Sequence, residues 1–413
     1  MTATISNMMF GVDWEERIDF QKLRRDRLQK LQKSMKDKGF DAIMLFRYDN
    51  IRYATAHRQS YIEAFYVTRN LSIVPVEGEP FIYPASGDYR RSRQAMTWVS
   101  KNRLFPLPTL EDEGVSAHVA KTLIHDAFAE LGLLKGGKVG IDAIIFHLYQ
   151  ELQRQFPKIN FDMATDVIRT ARMIKTPEEI QLLRTSAVIS DEAMMAGIDA
   201  VRHGVREYEV AAKVVEKIWN LGAENYSHAP MICSGERICP LHRLPTERIM
   251  RPGDMVFFDL GANFNGYITE FSRTVLVPGK KPTALQKKVY QTVYAAIMKV
   301  ISMTVPGTKS TDINAACRKV TRDAGFGEGY QGILGHSIGT CVQEPPYVGE
   351  SLAGGEYEFI VEPNMVLTME PGIFPQEPIN GEYVGTRLED VILVTEKGNE
   401  VLTKTPFSEE LLG

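Results

Sequence analysis

Two carboxylates, Asp259 and Glu270, stand eleven positions apart in the run Met255-Val-Phe-Phe-Asp-Leu-Gly-Ala-Asn-Phe-Asn-Gly-Tyr-Ile-Thr-Glu-Phe-Ser-Arg-Thr-Val-Leu-Val277. An acid set among Phe257, Phe258 and Leu260 is costly to bury unless a positive charge answers it. A bound cation is the chemistry this arrangement suggests. Three further residues lie in similarly apolar, strand-like surroundings. His336 sits in Gly335-His-Ser-Ile-Gly-Thr340, where glycines allow close backbone approach. Glu370 follows Val366-Leu-Thr-Met369 and precedes Pro371-Gly372, and Glu389 lies within Thr386-Arg-Leu-Glu-Asp-Val-Ile-Leu-Val394. Taken singly, such a His is more often a core residue and such a Glu more often faces water. Together they make an oxygen-rich set of four carboxylates and one imidazole. That set suits two divalent ions such as Mn, Fe, Co or Zn, not a structural zinc.

These residues need elements to position them. Residues 256–259 and 267–274 read as strands joined by Asn265-Gly266, the strongest short hairpin signal, which predicts both acids on one face of a hairpin. Upstream, residues 13–38 carry a helical stripe, and 41–46, 70–76, 80–84 and 138–142 read as strands. Helices are expected at 117–134 and 146–156. This alternation predicts an α/β domain over 15–170, with 1–12 as a loose arm. Helices are then expected at 177–203, 207–221, 283–305 and 311–324, and strands at 365–369 and 388–394. They predict an α+β domain over 175–413.

Composition excludes some functions. A formal net charge of −4 over 413 residues argues against a nucleic-acid partner. No 18-residue apolar run occurs and residues 1–30 are rich in charge, so no membrane partner and a cytoplasmic location are expected. Cys233, Cys239, Cys317 and Cys341 fit no zinc spacing and read as reduced thiols of a folded interior.

The order Asp259, Glu270, His336, Glu370, Glu389 resembles the pita-bread superfamily, which holds methionine aminopeptidase, Xaa-Pro aminopeptidase, prolidase and creatinase. Further landmarks are Arg172-Met-Ile-Lys-Thr-Pro-Glu-Glu-Ile180, Ser234-Gly235 followed by His242, Arg251-Pro-Gly-Asp254, Gly266-Tyr267 and Arg273-Thr274. The likeness spans residues 20–410 and includes the smaller N-terminal domain of the aminopeptidase P, prolidase and creatinase branch. It implies an α/β N-terminal domain plus an α+β C-terminal pita-bread (creatinase/aminopeptidase) domain, a small-molecule substrate and a homodimer. It also implies that the five residues bind metal, with Glu370 as base and Glu389 bridging the ions. By the same likeness His242 acts near the scissile bond, and His228 is a second candidate for the pocket wall. Tyr53, His57 and Arg58 are candidates to reach a neighbour's site across the dimer.

Two positions depart from the family. The peptidases carry aspartate where this chain has Glu270, which is one methylene longer; an alternative partner for Glu270 is Arg273 or Arg387. They also carry a histidine seven residues after the ligand histidine, where Gln343 stands here. Glutamine donates a hydrogen bond but cannot carry a proton in acid–base work. The resulting expectation is a metal-dependent hydrolase that cleaves a C–N bond in a small, non-peptide substrate with a metal-activated water, Gln343 lying in its site. The alternatives are an Xaa-Pro dipeptidase or aminopeptidase, a metal-independent creatinase-like hydrolase, an enzyme like the dimethylsulfoniopropionate lyases, and an inert binding module. Loops at 61–65, 228–232 and 343–348 are expected to set specificity.

Overall fold

The computed structural model describes residues 18–60, 66–327, 333–351 and 354–413. The expected arm at 1–12, the start of the first helix and the loop at 61–65 lie outside them. The chain divides into two compact units, Met1–Arg172 and Met173–Gly413. No helix among the described residues is long and apolar enough to cross a membrane.

In the first unit, Asp19 caps the helix Phe20–Asp37 by accepting the Lys22 N–H at 2.8 Å. Leu31 and Met35 form its buried stripe. A mixed sheet follows, built from β1 (Ala42–Leu45), β2 (Leu71–Pro75), β3 (Phe81–Tyr83), β4 (Gly137–Ile141) and β5 (Ile159–Met163), in the order β3-β2-β1-β4-β5. β4 is parallel to both β1 and β5, as crossovers through helices require. The helix expected at 117–134 runs without a break from Glu113–Val119 through a π-helical turn at Ala120–Ile124 to His125–Glu130. The helix Tyr48–Thr55 is too short to show a period in the sequence.

That short helix and the turn after it hold Tyr53, His57 and Arg58. Tyr53 and His57 are interior residues, not surface groups that reach outward: Tyr53 donates its hydroxyl to the Ala171 carbonyl at 2.8 Å, and His57 Nε2 lies 2.8 Å from Ser92 Oγ. Arg58 is half-buried, and its carbonyl accepts from Arg91 Nη2 at 2.7 Å. Burial, with the charges of Arg91 and Arg52 outweighing that of Asp88, pushes the His57 pKa from 6.5 down to about 3. The native state therefore keeps His57 neutral in a range where the unfolded chain binds a proton. The contribution of His57 to stability is full above pH 6.5 and is lost as pH falls towards about 3, by up to about 1.4 kcal/mol per pH unit. Thermal melts across this range are expected to show a shallower acid slope for His57→Gln than for wild type. Equal slopes would remove His57 as the cause.

The second unit opens on Thr176 and Glu179, which form a capping box around Pro177 and start the helix Pro177–Asp199. Glu207–Asn220 packs beside it. The strands that follow are β6 (Asn225–Tyr226), β7 (Met231–Ser234), β8 (Met255–Leu260), β9 (Ala262–Phe264), β10 (Tyr267–Ile268) and β11 (Phe271–Leu276). After the helices Ala284–Met303 and Ser310–Asp323 come β12 (Ile333–Ser337), β13 (Glu344–Gly349), β14 (Val366–Met369), β15 (Gly372–Ile373), β16 (Thr386–Arg387), β17 (Asp390–Thr395) and β18 (Gly398–Val401). Antiparallel pairing gives sheets β11-β8-β7, β10-β9-β6, β13-β12-β14-β17-β18 and β15-β16. Val289, Val293, Ile297 and Val300 of the Ala284–Met303 helix share a core with Leu367, Met369, Ile392 and Val394 of the five-stranded sheet.

The Asn-Gly hairpin forms, with φ of 51° at Asn265 and 80° at Gly266, the positive pair that a type I′ turn needs. It is not one continuous ladder. The chain kinks at Gly261, where an added Cβ would fall 1.7 Å from the Thr269 carbonyl oxygen, so only glycine fits. The strand expected over 267–274 is thus broken into β10 and β11, with Glu270 at the break.

Candidate metal centre

Strand β8 is covered on both faces. Val256, Phe258 and Leu260 pack with the helices Pro177–Asp199 and Glu207–Asn220, while Met255 and Phe257 enter the other core. Side chains alternate along a strand, so Asp259 emerges on the Phe257 face. Across the ladder Asp259 faces Ser272, not Glu270. In the five-stranded sheet of this unit His336 is opposite Thr368, which is opposite Val391. Glu370 and Glu389 continue that register one step beyond the last pair, Met369 and Asp390. Two like charges placed across from each other are unfavourable without a counter-charge.

The kink swings Glu270 into this group. Its Oε1 lies 3.0 Å from His336 Nε2 and its Oε2 lies 2.9 Å from His228 Nε2. His228 Nε2 is also 3.2 Å from Asp259 Oδ1, and His336 Nε2 is 3.6 Å from Glu370 Oε1. Two potential cation positions result, one formed by His228, Asp259 and Glu270, the other by Glu270, His336 and Glu389, with ligand atoms within 4.8 Å of one another in each. Glu270 is the member common to both.

Arg387 is absent from the site expected from the sequence, yet it is buried within it. Its Nη2 pairs with Asp259 Oδ2, its Nη1 is 2.9 Å from Glu370 Oε2, and its Nε donates to Ser272 Oγ at 2.9 Å. Ser272 passes its own hydrogen to Glu389 Oε2 at 2.7 Å. The signal was available: Arg387 precedes Glu389 by two residues, the spacing that puts strand residues on one face. Neither arginine considered as a partner takes Glu270. Arg273 Nη2 binds Asp390 Oδ1 at 2.7 Å, and Arg273 Nη1 donates to the Glu389 carbonyl at 2.7 Å.

The cluster gathers four carboxylates around one guanidinium and two imidazoles. Burial, then the charge of Glu370, holds the Glu389 carboxyl well above its usual pKa. Burial likewise raises Glu370, against the pull of Arg387. Burial also opposes ionisation of Glu270, but the two imidazoles outweigh it and bring its pKa to about 2. The acids push His228 up to about 11 and His336 to about 9, against the effect of burial. Protons are taken up wherever a group can hold one, and divalent cations would meet the same demand. Asp259 Oδ1, Glu270 Oε1 and Glu389 Oε1 are buried and accept no well-directed hydrogen bond, leaving lone pairs for such ions. Carboxylate oxygens with imidazole nitrogens fit hard or borderline divalent metals.

Not every expected site residue joins the cluster. His242 is exposed in the turn after the 3₁₀ segment Gly235–Ile238, its backbone N–H bound to the Arg237 carbonyl at 3.0 Å. Gln343 is exposed in the bend before β13. Among the described residues neither side chain bonds to the cluster, whereas His228, from the connection between β6 and β7, does. Sequence alone does not show this, because β7 must first pair with β8 and set Met231 opposite Asp259.

Residues 181–396 match the model of metallopeptidase family M24, and residues 27–174 match that of the creatinase/prolidase N-terminal domain. The chain is 33% identical over 252 residues to an Xaa-Pro dipeptidase of Pyrococcus furiosus, covering 61% of this chain and 68% of that protein. It is 34% identical over 268 residues to the Xaa-Pro dipeptidase of Pyrococcus horikoshii, covering 65% and 73%. The solved prolidase from Thermococcus sibiricus superposes with a TM-score of 0.77 at 27% identity, covering 93% of this chain and 98% of that one. These relatives overturn the expectation of a non-peptide substrate, because they are named for cleaving Xaa-Pro peptides. The two departures are also milder in place than they read in sequence. Glu270 keeps its charge and touches both imidazoles, and the amide of Gln343 still offers a hydrogen-bond donor.

Proposed function

The chain belongs to metallopeptidase family M24 and carries its creatinase/prolidase N-terminal domain, and from that premise we propose that it hydrolyses the Xaa-Pro bond of dipeptides. The observation that carries this reading is the meeting of Asp259, Glu270, His336, Glu370 and Glu389 around one buried point, in a chain whose relatives are Xaa-Pro dipeptidases. We assign Asp259, Glu270, His336 and Glu389 to two divalent cations, with Glu370 beside them. Ions held there would supply a water of lowered pKa and polarise the peptide carbonyl.

The remaining steps fall to the chain's own groups. Glu370 Oε2 is held by Arg387 Nη1, and burial raises its carboxyl pKa against the pull of that guanidinium. It accepts the proton of the attacking water and delivers it to the departing proline nitrogen. His242 is exposed and stands apart from the cluster, so Glu370 is assigned that transfer. Gln343 is assigned hydrogen-bond donation to the substrate as it enters, not proton transfer. A stripped enzyme reloaded with Mn(II) or Co(II) is expected to release proline from Xaa-Pro dipeptides, and exhaustive chelation is expected to abolish that release. Full activity after chelation would sink the metal-dependent reading, and failure on every Xaa-Pro dipeptide would sink the substrate.

A further inference from the structure

We propose that His228 is a sixth ligand of the metal centre, completing the cation position formed with Asp259 and Glu270. The inference rests on the reading of the cluster as a metal centre and adds to it a residue outside the five recognisable in the sequence.

The two histidines of the site are disposed alike. His336 Nδ1 lies 3.1 Å from the Ser337 carbonyl and His228 Nδ1 lies 2.9 Å from the Ala229 carbonyl. A carbonyl only accepts, so in each ring Nδ1 carries hydrogen and Nε2 is the atom left to face the acids. This is the arrangement found for metal-bound histidines, whose second ring nitrogen donates to a backbone carbonyl and so fixes tautomer and orientation. Both Nε2 atoms point at Glu270, one at each oxygen, at 2.9 Å for His228 and 3.0 Å for His336. Without His228, one position would hold two carboxylates and no imidazole. With it, each position has one imidazole and one private carboxylate, Asp259 or Glu389, and shares Glu270.

Independent support comes from the orphaned oxygens. Asp259 Oδ1 and Glu270 Oε1 are buried and lack a well-directed hydrogen bond, and His228 Nε2 is among the buried polar atoms in the same state. Buried carboxylate oxygens without a hydrogen bond are unfavourable as they stand, and His228, Asp259 and Glu270 each offer a ligand atom within 4.8 Å of the others', so a cation held there satisfies them.

The test uses the full chain, stripped and titrated with Mn(II) by calorimetry, with Co(II) absorption as a second readout. Wild type is expected to bind two ions. His228→Ala is expected to bind one as wild type does and the other at least about tenfold more weakly, with altered Co(II) bands. Free imidazole, filling the vacated space, is expected to restore the weakened ion. Unchanged binding of both ions with unchanged bands overturns the assignment, even if KM rises, and makes His228 a substrate contact. Wild type that binds no ion overturns the metal centre itself, a separate result. Should the variant fail to fold, anomalous scattering from wild-type crystals soaked in Mn(II) decides: a peak about 2.0–2.3 Å from His228 Nε2 supports ligation, and its absence there refutes it.

Discussion

Replacing Glu370 with Gln is expected to lower kcat for Xaa-Pro dipeptides by about 10²–10⁴-fold, the range for loss of a positioned acid–base group. The substitution keeps size and shape but removes the capacity to hold a proton. Its other interactions are modest in number: one oxygen accepts from Arg387 Nη1 at 2.9 Å, and the other lies 3.6 Å from His336 Nε2. An amide oxygen turned towards Arg387 preserves the first contact, so the melting temperature is expected to change little. Metal content measured on the same sample separates two roles. If kcat falls while both ions remain, Glu370 acts on the proton; if an ion is lost with it, Glu370 acts as a ligand. Turnover equal to wild type would eliminate both.

The legible part of this site was the part written in local chemistry. Asp259, Glu270, His336, Glu370 and Glu389 stand out because an ionisable group inside an apolar strand has a cost that needs a cause. The strands and long helices of the second unit were legible for a related reason: capping residues such as Thr176 and Thr283 and a sustained period announce where helices begin. What could not be read depended on pairing between distant segments. His228 reaches Asp259 only because β7 joins β8, and the Glu270 kink arises because Gly261 lets the Thr269 carbonyl approach. His57 shows the opposite error. It is expected to reach outward to a neighbour's site, yet the Ser92 hydroxyl satisfies its ring and allows burial. The departures at Glu270 and Gln343 read as changes of substrate because a sequence shows residue identity and not geometry. In place, the extra methylene of Glu270 sets its two oxygens against two different imidazoles.

Arg387→Met is expected to produce the largest loss of stability, and the reason lies in charge, not volume. Methionine replaces much of the side chain's bulk, and the packing of Arg387 over the Phe257 ring, at 5.1 Å from its centroid, is partly kept. The positive charge facing Asp259 and Glu370 is not. Removing one partner of a buried ion pair costs about 3–5 kcal/mol, because the remaining charge is left uncompensated. In the metal-free protein that corresponds to a fall in Tm of roughly ten degrees for a unit of this size. Divalent ions neutralise the same acids, so Mn(II) is expected to raise the Tm of the variant by more than it raises that of wild type. Arg387→Lys should fall between them, since an ammonium keeps the charge but cannot fork to two carboxylates and Ser272 at once. If the methionine variant melts with wild type, and Mn(II) stabilises both equally, the guanidinium is packing alone and the cluster's charge is balanced by something else.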